Sequence, residues 1–316
     1  MIFDLKLFRF TLKINGPLKE KKGILLYGKT KNGREAWSEV SPLPGFNVET
    51  LLEAERELLE IREQINGFAP LKKKLLPSVA FGLNSLTHLL NDPNYIPFKS
   101  YPICGFLSGD FNEMQKQIPL LLQSGYTHIK VKIALLSFTE AHTIIQKLLG
   151  KVRLRIDVNR KWSLEESLLF FSNYRKNAFE YIEEPVPTFE DLLYFPYPTA
   201  LDETLREEHK LISIPQIKAL ILKPMMSGDN SSIQKTIDFA SQLKAKIILS
   251  SSHESGVGLF HLCALMDRLS LQMHPLGIDP YRLIEEDLLV NRHSINRGMI
   301  TLSPLILKQD HLCLIN

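Results

Sequence analysis

The stretch THIKVKIALLS (127–137) decides the fold, because it is an apolar strand that carries two lysines on one face. Its apolar residues alternate with Lys130 and Lys132. Side chains at positions i and i+2 of a strand point the same way, roughly 6.6 Å apart. Two ammonium groups buried together repel each other and resist the loss of water. Either this face is exposed, or an anion or a catalytic site lies opposite it.

Short apolar runs and helical segments alternate on both sides of this stretch. The predicted strands are 102–107, 127–134, 152–158, 179–183, 199–202, 218–223, 246–250 and 271–276. The predicted helices are 111–124, 138–149, 163–176, 189–195, 230–242 and 257–269, and the segment 203–217 has no firm assignment. Eight strands separated mostly by helices favour a parallel α/β barrel, with a doubly wound sheet as the competing fold.

The first hundred residues follow a different pattern. Residues 2–14 and 23–31 alternate apolar and polar side chains around Gly16-Pro17, which predicts a hairpin. Apolar positions at helical spacing predict helices over 48–66 and 77–90. The Pro- and Asn-rich stretch NDPNYIPFKSYP (91–102) is typical of a linker.

Composition excludes several classes of function. The net charge of +3 is too small to indicate a nucleic-acid partner. We expect the lysine runs at 19–22 (KEKK) and 72–74 (KKK) to be solvated faces or loops. The three cysteines form no CxxC pair, which is typical of a reducing compartment. The N-terminal stretch MIFDLKLFRF lacks the apolar run of a signal peptide, and no uncharged apolar stretch approaches 20 residues. We therefore expect a cytoplasmic protein without a membrane span.

Polar side chains lie at the ends of the predicted strands. They are Lys130 and Lys132, then Asp157 and Asn159 with Arg155 on the same face, then Glu183 and Glu184, Asp202 and Glu203, Lys223, and Ser250, Ser251 and Ser252. The C-terminal strand ends of an α/β barrel converge on one mouth, where its enzymes carry out their chemistry. Carboxylates from three successive strands, with no soft ligand among them, predict a site for a hard dication such as Mg²⁺. The paired lysines would then face a bound anion.

Each residue alone has a plainer interpretation. A carboxylate at a strand end is often a helix cap or an ion-pair partner, and Lys130 or Lys132 could lie on an exposed edge strand. Asn159 and the three serines could simply cap the helices that follow. The joint occurrence on consecutive strands, at one end, is what favours the metal site.

The order K-x-K, D-x-N, E-E-P, D-E and K-P resembles the enolase superfamily. Similar segments are EAWSEVSPLPGFNVETLLEA (35–54), LPSVAFGLNSL (76–86), RIDVNRKW (155–162), IEEP (182–185), DETLRE (202–207) and SSSHESGVGL (250–259). Within the superfamily, they resemble the o-succinylbenzoate synthase family and cover most of residues 35–260. The resemblance implies a (β/α)7β TIM-like barrel over 99–284 and an α+β capping domain over 1–98, completed by a segment from about 285 to 316.

The resemblance also implies residue roles. Asp157, Glu183 and Asp202 would bind Mg²⁺, which Mn²⁺ could replace; Lys132 would remove the proton α to the substrate carboxylate; and Lys223 would stabilise the enolate. Lys130, Asn159, Ser250, Ser251 and Ser252 would contact the substrate, with Arg155 and Glu203 behind them. The implied reaction is a syn dehydration of 2-succinyl-6-hydroxy-2,4-cyclohexadiene-1-carboxylate to 2-succinylbenzoate in menaquinone biosynthesis. The implied partner is a small-molecule carboxylate, and the chain could be a monomer or a homo-oligomer.

Other interpretations stay open. Dipeptide epimerases, N-acylamino acid racemases and cycloisomerases share the superfamily, but the epimerases generally have a D-x-D after the last strands, where this chain has Asp279 and Tyr281. A non-catalytic barrel is disfavoured because an idle site has no need of so many buried charges. The loop SPLPGF (41–46) would close over the mouth, with Phe46 either over the mouth or packed inward. His253 stands where members of the family that the chain resembles have an apolar residue, and it would either line the pocket or point away.

Overall fold

The computed structural model describes residues 2–16, 18–66, 74–92, 95, 100–207 and 213–315. Parts of four sequence-based predictions lie outside these residues: Pro17 of the hairpin turn, Lys72 and Lys73 of the KKK run, half of the linker, and the middle of 203–217.

The strands are β1 (Ile2–Lys13), β2 (Glu20–Thr30), β3 (Glu35–Val40), β4 (Ser100–Pro102), β5 (Gly105–Leu107), β6 (His128–Lys132), β7 (Arg153–Asp157), β8 (Tyr181–Glu183), β9 (Thr199–Leu201), β10 (Ile217–Leu222), β11 (Lys246–Leu249), β12 (Ser294–Asn296), β13 (Met299–Thr301) and β14 (Cys313–Leu314). The α-helices are α1 (Leu51–Asn66), α2 (Pro77–Asn91), α3 (Phe111–Gln123), α4 (Phe138–Leu148), α5 (Leu164–Phe171), α6 (Pro224–Ser227), α7 (Asn230–Leu243) and α8 (Gly256–Arg268). Short 3-10 helices cover Asp191–Tyr194, Glu203–Arg206, Asp279–Leu283 and Gln309–His311.

Strands β5 to β11 form one parallel sheet in chain order, with helices between most neighbours. Reciprocal capping boxes begin three of these helices, at Asp110 for α3, Ser137 for α4 and Ser163 for α5. Each satisfies backbone N–H groups that a helix start leaves without a partner. Most residues of these strands are buried, as expected for a sheet that is covered on both faces.

The eighth predicted strand closes this sheet without being a strand. Within 271–276, only Leu276 pairs with Ile103, and the following Gly277 pairs with Ser250 at the end of β11. Backbone hydrogen bonds of 2.8 Å run from Cys104 N to Leu276 O and from Gly277 N to Leu249 O. The segment therefore bridges the two edges of the sheet, and the barrel predicted from the sequence is confirmed over the doubly wound alternative.

An antiparallel sheet of order β14-β1-β2-β3 forms the cap. Its apolar face packs on α1 and α2 around a core of its own, which includes Leu7, Ile24, Leu58 and Leu86. A third sheet joins β12 and β13 to β4. The domain boundary between residues 98 and 99 stays a prediction. No helix in the described part of the chain is both long enough and apolar enough to span a bilayer.

Several local features differ from the sequence-based predictions, and the helix predicted over 163–176 already ends at Phe171. The segment 189–195 contains only the 3-10 helix Asp191–Tyr194, and β3 was not predicted from its pattern. The KEKK run is not a solvated loop: Glu20 begins β2, and Lys21 is only 1% exposed. Alternation along the strand turns Lys21 into the interior while its neighbour Lys22 faces solvent.

Candidate active site

Strand register sets the height of the predicted site residues. Lys132 on β6 is in register with Asp157 on β7, which is in register with Glu183 on β8. Asp202 directly follows β9, the next strand of the sheet. Because partners in register on neighbouring strands project to the same side, the three carboxylates and the lysine meet at the C-terminal mouth of the barrel. All three carboxylate residues are at most 1% exposed.

Lys130 lies between two of these carboxylates. Its Nζ is 2.8 Å from Asp157 Oδ2 and donates a hydrogen bond of 2.7 Å to Glu183 Oε1. Although burial alone would lower it, the charges of Asp157, Glu183 and Asp202 raise the pKa of Lys130 well above its usual value. Lys130 is therefore a firmly protonated cation.

Asp202 is held from both sides by cations. Its Oδ1 accepts a hydrogen bond of 2.6 Å from Arg206, and its Oδ2 accepts a short hydrogen bond from Lys223 Nζ. Although burial alone would raise it, Lys223 and Arg206 hold the pKa of Asp202 well below its usual range. Asp202 is therefore ionised and aimed toward the lysine of the following strand, β10.

Neighbouring cations do not compensate the negative charges of the three carboxylates equally. Burial and the neighbouring charges of Asp157 and Asp202 raise the pKa of Glu183 to about 8, against the opposing effect of Lys130 and Lys223. Lys130 and Lys132 lower the pKa of Asp157 despite its burial. Of the three carboxylates, Glu183 is thus the one whose negative charge is least compensated, as expected for a site that gains stability from a further cation.

The donor chemistry of this group suits a hard dication. Asp157 Oδ2, Glu183 Oε2 and Glu203 Oε2 are buried and accept no hydrogen bond, and the contact of Asp157 Oδ2 with Lys130 is an ion pair without hydrogen-bond geometry. Within the described residues, however, no three acidic, histidine or cysteine side chains stand close enough together to hold a metal ion as they are. Lys130 pairs with Asp157 and Glu183, and Lys223 pairs with Asp202, so a bound cation would share these carboxylates with the two lysines.

Asn159 and Lys132 form the open side of the mouth. Asn159 has a left-handed φ of 47°, donates its backbone N–H to Asp157 Oδ1 at 3.0 Å and accepts a hydrogen bond of 2.9 Å from Lys132 Nζ. Its amide nitrogen lies 3.5 Å from Glu203 Oε1. The Lys132 side chain is 36% exposed, against 17% for Lys130. Of the K-x-K pair, Lys132 is the lysine that a ligand can reach.

Glu184 is a site residue whose role the sequence analysis missed. Its carboxylate accepts hydrogen bonds from Asp202 N at 2.6 Å, Thr204 N at 2.9 Å, Thr204 Oγ1 at 2.7 Å and Arg160 Nε at 2.8 Å. It has a φ of 43° and is fully buried. Glu184 therefore fixes the turn that presents Asp202. The sequence signal for this role is the pair of adjacent acidic residues before Pro185. Only one of two adjacent side chains can face the mouth, so the other must have a different partner.

The remaining predicted residues, Arg155 and the three serines, differ in whether they line the cavity. Arg155 lines the cavity wall below Asp157, and its guanidinium donates to Glu180 and to the carbonyl of Pro275, both at 2.7 Å. Ser250 and Ser251 line the mouth, where the Ser250 hydroxyl donates to Gly277 O at 3.0 Å. Ser252 is buried and does not line this cavity.

Two connected chambers form the cavity above these residues. The inner chamber, of about 130 Å³, contains the carboxylates and lysines. The outer chamber, of about 830 Å³, extends toward the cap. Their shared lining is Phe46, Phe106, Lys132, Asn159, Glu203 and His253. Phe46 is 48% exposed, so it lies over the mouth and is not packed inward. His253 lines the cavity, and burial together with Lys21, Lys132 and Lys223 lowers its pKa to about 4, which leaves the ring neutral at pH 7.

Comparison with known proteins agrees with this architecture. Residues 113–305 match the family model described as enolase C-terminal domain-like, and residues 4–89 match the model described as MenC, N-terminal domain. The o-succinylbenzoate synthase of Klebsiella pneumoniae (strain 342) is 31% identical over 285 residues, which cover 86% of each chain.

Two solved structures share the fold. The o-succinylbenzoate synthase of Thermosynechococcus elongatus BP-1, complexed with Mg in the active site, has a TM-score of 0.71 and 20% identity, covering 91% of this chain and 96% of its own. The L-Ala-D/L-Glu epimerase of Bacillus subtilis has a TM-score of 0.76 and 14% identity, covering 97% of both chains. The structural likeness alone thus does not separate the reaction classes, whereas the sequence relatives and the MenC N-terminal family model do. The chain belongs to the o-succinylbenzoate synthase family of the enolase superfamily.

Proposed function

We propose that this chain catalyses the Mg²⁺-dependent syn dehydration of 2-succinyl-6-hydroxy-2,4-cyclohexadiene-1-carboxylate to 2-succinylbenzoate, the reaction for menaquinone synthesis that the sequence resemblance implies. Its family membership makes the chain a hydro-lyase with o-succinylbenzoate synthase activity. The observation that carries the finer proposal is the register of Lys132, Asp157 and Glu183 at one barrel mouth, with Lys223 and Asp202 on the same cavity wall.

Asp157, Glu183 and Asp202 would hold the metal ion, and the buried oxygens of Asp157 and Glu183 that accept no hydrogen bond support this assignment. When bound, Mg²⁺ would supply positive charge for the carboxylate oxygens of the substrate as its α proton leaves. Mn²⁺ prefers the same oxygen ligands and is the expected substitute.

Lys132 would act as both base and acid. Its exposed ammonium group, held at 2.9 Å by Asn159, borders both chambers. In the deprotonated form, Lys132 would accept the proton from the carbon α to the carboxylate, and the electron pair of that C–H bond would pass into the enolate. Return of the same proton to the departing hydroxide on the same face, as the C–O bond breaks, would release water. One lysine suffices for a syn elimination, and formation of an aromatic ring makes the second step favourable.

Lys223 and Lys130 would act electrostatically. Lys223 reaches the cavity from β10, on the opposite side of the carboxylates from β6, and would stabilise the negative charge of the enolate. Lys130, whose raised pKa keeps it protonated, would provide a second permanent positive charge near the substrate carboxylate. Preorganised cations in a buried site are worth more than the same charges in water.

A second candidate, dipeptide epimerisation, is disfavoured by Asp279. This residue is 0% exposed and accepts hydrogen bonds from Phe106 N at 2.8 Å, Tyr126 OH at 2.5 Å and Arg282 Nε at 2.9 Å. An epimerase needs a carboxylate free to bind the amine of its substrate, and Asp279 is committed to this internal network. Tyr281, in the position of the second acid, donates to Asp287.

The test is an absorbance assay for the aromatic product with the cyclohexadiene acid, beside a proton-exchange screen on Ala-Glu dipeptides. We expect turnover of the first substrate and none of the dipeptides. Epimerisation of a dipeptide at a comparable kcat/KM, without dehydration, would reverse the assignment.

A further inference from the structure

A buried cluster of charged residues lies between the cap and the barrel. We call Lys21, Glu39 and Glu254 the interface cluster; each is 1% exposed. Lys21 and Glu39 come from the cap strands β2 and β3, and Glu254 comes from the loop between β11 and α8. None of the three lines either chamber of the active-site cavity. Buried charges are costly unless they are paired and hydrogen-bonded, so their arrangement calls for an explanation.

Lys21 joins two loops that lie far apart in the sequence. Its Nζ donates to the carbonyl of Ser41 at 2.7 Å and to the carbonyl of Ser252 at 3.0 Å. Ser41 begins the cap loop SPLPGF, and Ser252 belongs to the barrel loop after β11. One ammonium group therefore fixes the distance between a cap loop and a barrel loop.

Glu39 and Glu254, the two acidic residues of the interface cluster, also bind these loops. Glu39 accepts hydrogen bonds from Ser41 Oγ at 2.6 Å and from the N–H groups of Ser255 at 3.2 Å and Gly258 at 2.9 Å, where α8 begins. A carboxylate at a helix N-terminus is stabilised by the unpaired N–H groups there. Glu254 accepts from Ser252 N at 2.5 Å. A side chain at Gly258 would place a Cβ 2.5 Å from Glu254 Cβ, so the close approach depends on this glycine.

Both loops that the cluster fixes form walls of the substrate cavity. The cap loop contributes Leu43 and Phe46, and the barrel loop contributes Ser251 and His253. His253 has a left-handed φ of 64°, a conformation that is strained for a residue other than glycine. It persists because the backbone on its N-terminal side is held by hydrogen bonds at both the N–H and the carbonyl of Ser252.

We propose that Lys21 is a positioning residue for substrate binding: by holding the carbonyls of Ser41 and Ser252 together, it sets the relation of Phe46 to His253 across the cavity. The proposal rests on the proposed function and concerns the same site. Lys21 does not touch the reacting atoms, so its loss should weaken substrate binding far more than it slows the chemical step.

The first experiment compares Lys21→Met with Lys22→Met, the same change at the next residue, where the lysine is exposed and pairs with Glu20. Removal of Lys21 leaves two buried carbonyl oxygens without a donor and frees the loops. We expect KM of Lys21→Met to rise at least tenfold with kcat within about threefold of wild type, and Lys22→Met to match wild type. An unchanged KM in Lys21→Met would overturn the proposal.

A second variant separates positioning from charge balance. Lys21→Met with Glu254→Gln removes one buried charge of each sign, so we expect it to recover thermal stability relative to Lys21→Met while KM stays high. If KM returned to the wild-type value in the double variant, the cluster would only balance charge, and the proposal would be wrong.

Hydrogen–deuterium exchange provides a readout that does not need activity. In Lys21→Met, we expect faster exchange over 41–46 and 250–255, with the barrel helices α3 to α5 unchanged. A wild-type enzyme without dehydratase activity would disprove the proposed function but leave this exchange pattern intact. Exchange that rose uniformly over the chain, or unfolding of both Lys21 variants, would instead assign Lys21 to overall stability and overturn the proposal.

Discussion

Lys130 Nζ lies 2.7 Å from Glu183 Oε1, so a lysine on β6 pairs with a carboxylate two strands away, across the tip of β7. The same ammonium group is 2.8 Å from Asp157 on the intervening strand. A cation bound by these carboxylates would compete with Lys130, and the lysine would then become available to a substrate anion. Such an exchange of partners would link metal binding to substrate binding.

Replacement of Lys130 by Met should therefore change metal binding and turnover in opposite directions. Loss of one positive charge beside Asp157 and Glu183 should tighten Mg²⁺ binding severalfold, because like charges no longer compete. Turnover should fall at least tenfold, since the substrate carboxylate loses a cation. Calorimetric titration with Mg²⁺ and the dehydration assay measure the two effects, and weaker Mg²⁺ binding in the variant would contradict the interpretation.

Lys132→Ala and Lys223→Ala should each abolish measurable dehydration, because the first removes the proton acceptor and the second removes charge stabilisation of the enolate. Losses of at least about 10²–10⁴-fold in kcat are typical when a general acid–base group is removed. Circular dichroism and Mg²⁺ titration serve as controls, since both variants should remain folded and bind the metal. Near-normal turnover in either variant would remove that lysine from the mechanism.

Glu184→Gln tests whether Glu184 positions Asp202. The amide cannot accept all four hydrogen bonds that the carboxylate accepts from Asp202, Thr204 and Arg160. We expect Mg²⁺ affinity or activity to fall about 10–100-fold, as is typical when a residue behind metal ligands is changed. Glu190→Gln, at an exposed position outside this network, is the matched control. Equal affinities in the two variants would assign Glu184 a structural role only.

His261 should make the stability of the protein depend on pH. It is buried on α8 and donates from Nε2 to the carbonyl of Trp37 in the cap at 2.7 Å, and burial lowers its pKa from 6.5 to about 4. Because the folded pKa lies below the unfolded value, the unfolded state binds more protons between these pH values. The contribution of His261 is therefore complete above about pH 6.5 and is lost as the pH falls toward 4.

His261→Gln isolates this contribution, because glutamine keeps an uncharged donor for Trp37. We expect the two proteins to have similar free energies of unfolding at pH 8. Between pH 6.5 and 4, the wild type should lose more stability than the variant, as measured by urea unfolding at each pH. Parallel curves over the whole range would show that His261 is not the titrating group.

The residues that could be predicted from the sequence are charged side chains at the ends of apolar strands. Lys132, Asp157, Glu183, Asp202 and Lys223 each end or follow a strand, and parallel topology alone brings such positions together. The barrel could be predicted for the same reason, since its strands are apolar runs of regular spacing. The closing segment is different: Leu276 and Gly277 make single bridges, and a two-residue contact has no periodicity to detect.

The residues that were missed owe their roles to partners distant in sequence. Lys21 sits in a run of charges that is typical of a solvated surface, and its burial depends on a carbonyl 231 residues away. Glu184 is adjacent to a predicted metal ligand, yet its side chain points to the opposite side and fixes the next strand tip. Ser252 looked like its neighbours Ser250 and Ser251, but it is buried outside the cavity, where Lys21 and Glu254 bind its backbone.

Dehydration and Mg²⁺ binding can be measured together in the wild type and in Asp202→Asn. If Asp202 holds the metal ion that the reaction needs, EDTA stops wild-type turnover, added Mg²⁺ restores it with one bound ion per chain, and Asp202→Asn loses both the binding and the activity. Full turnover by metal-free enzyme, or an unchanged Mg²⁺ titration in Asp202→Asn, would contradict this role of Asp202.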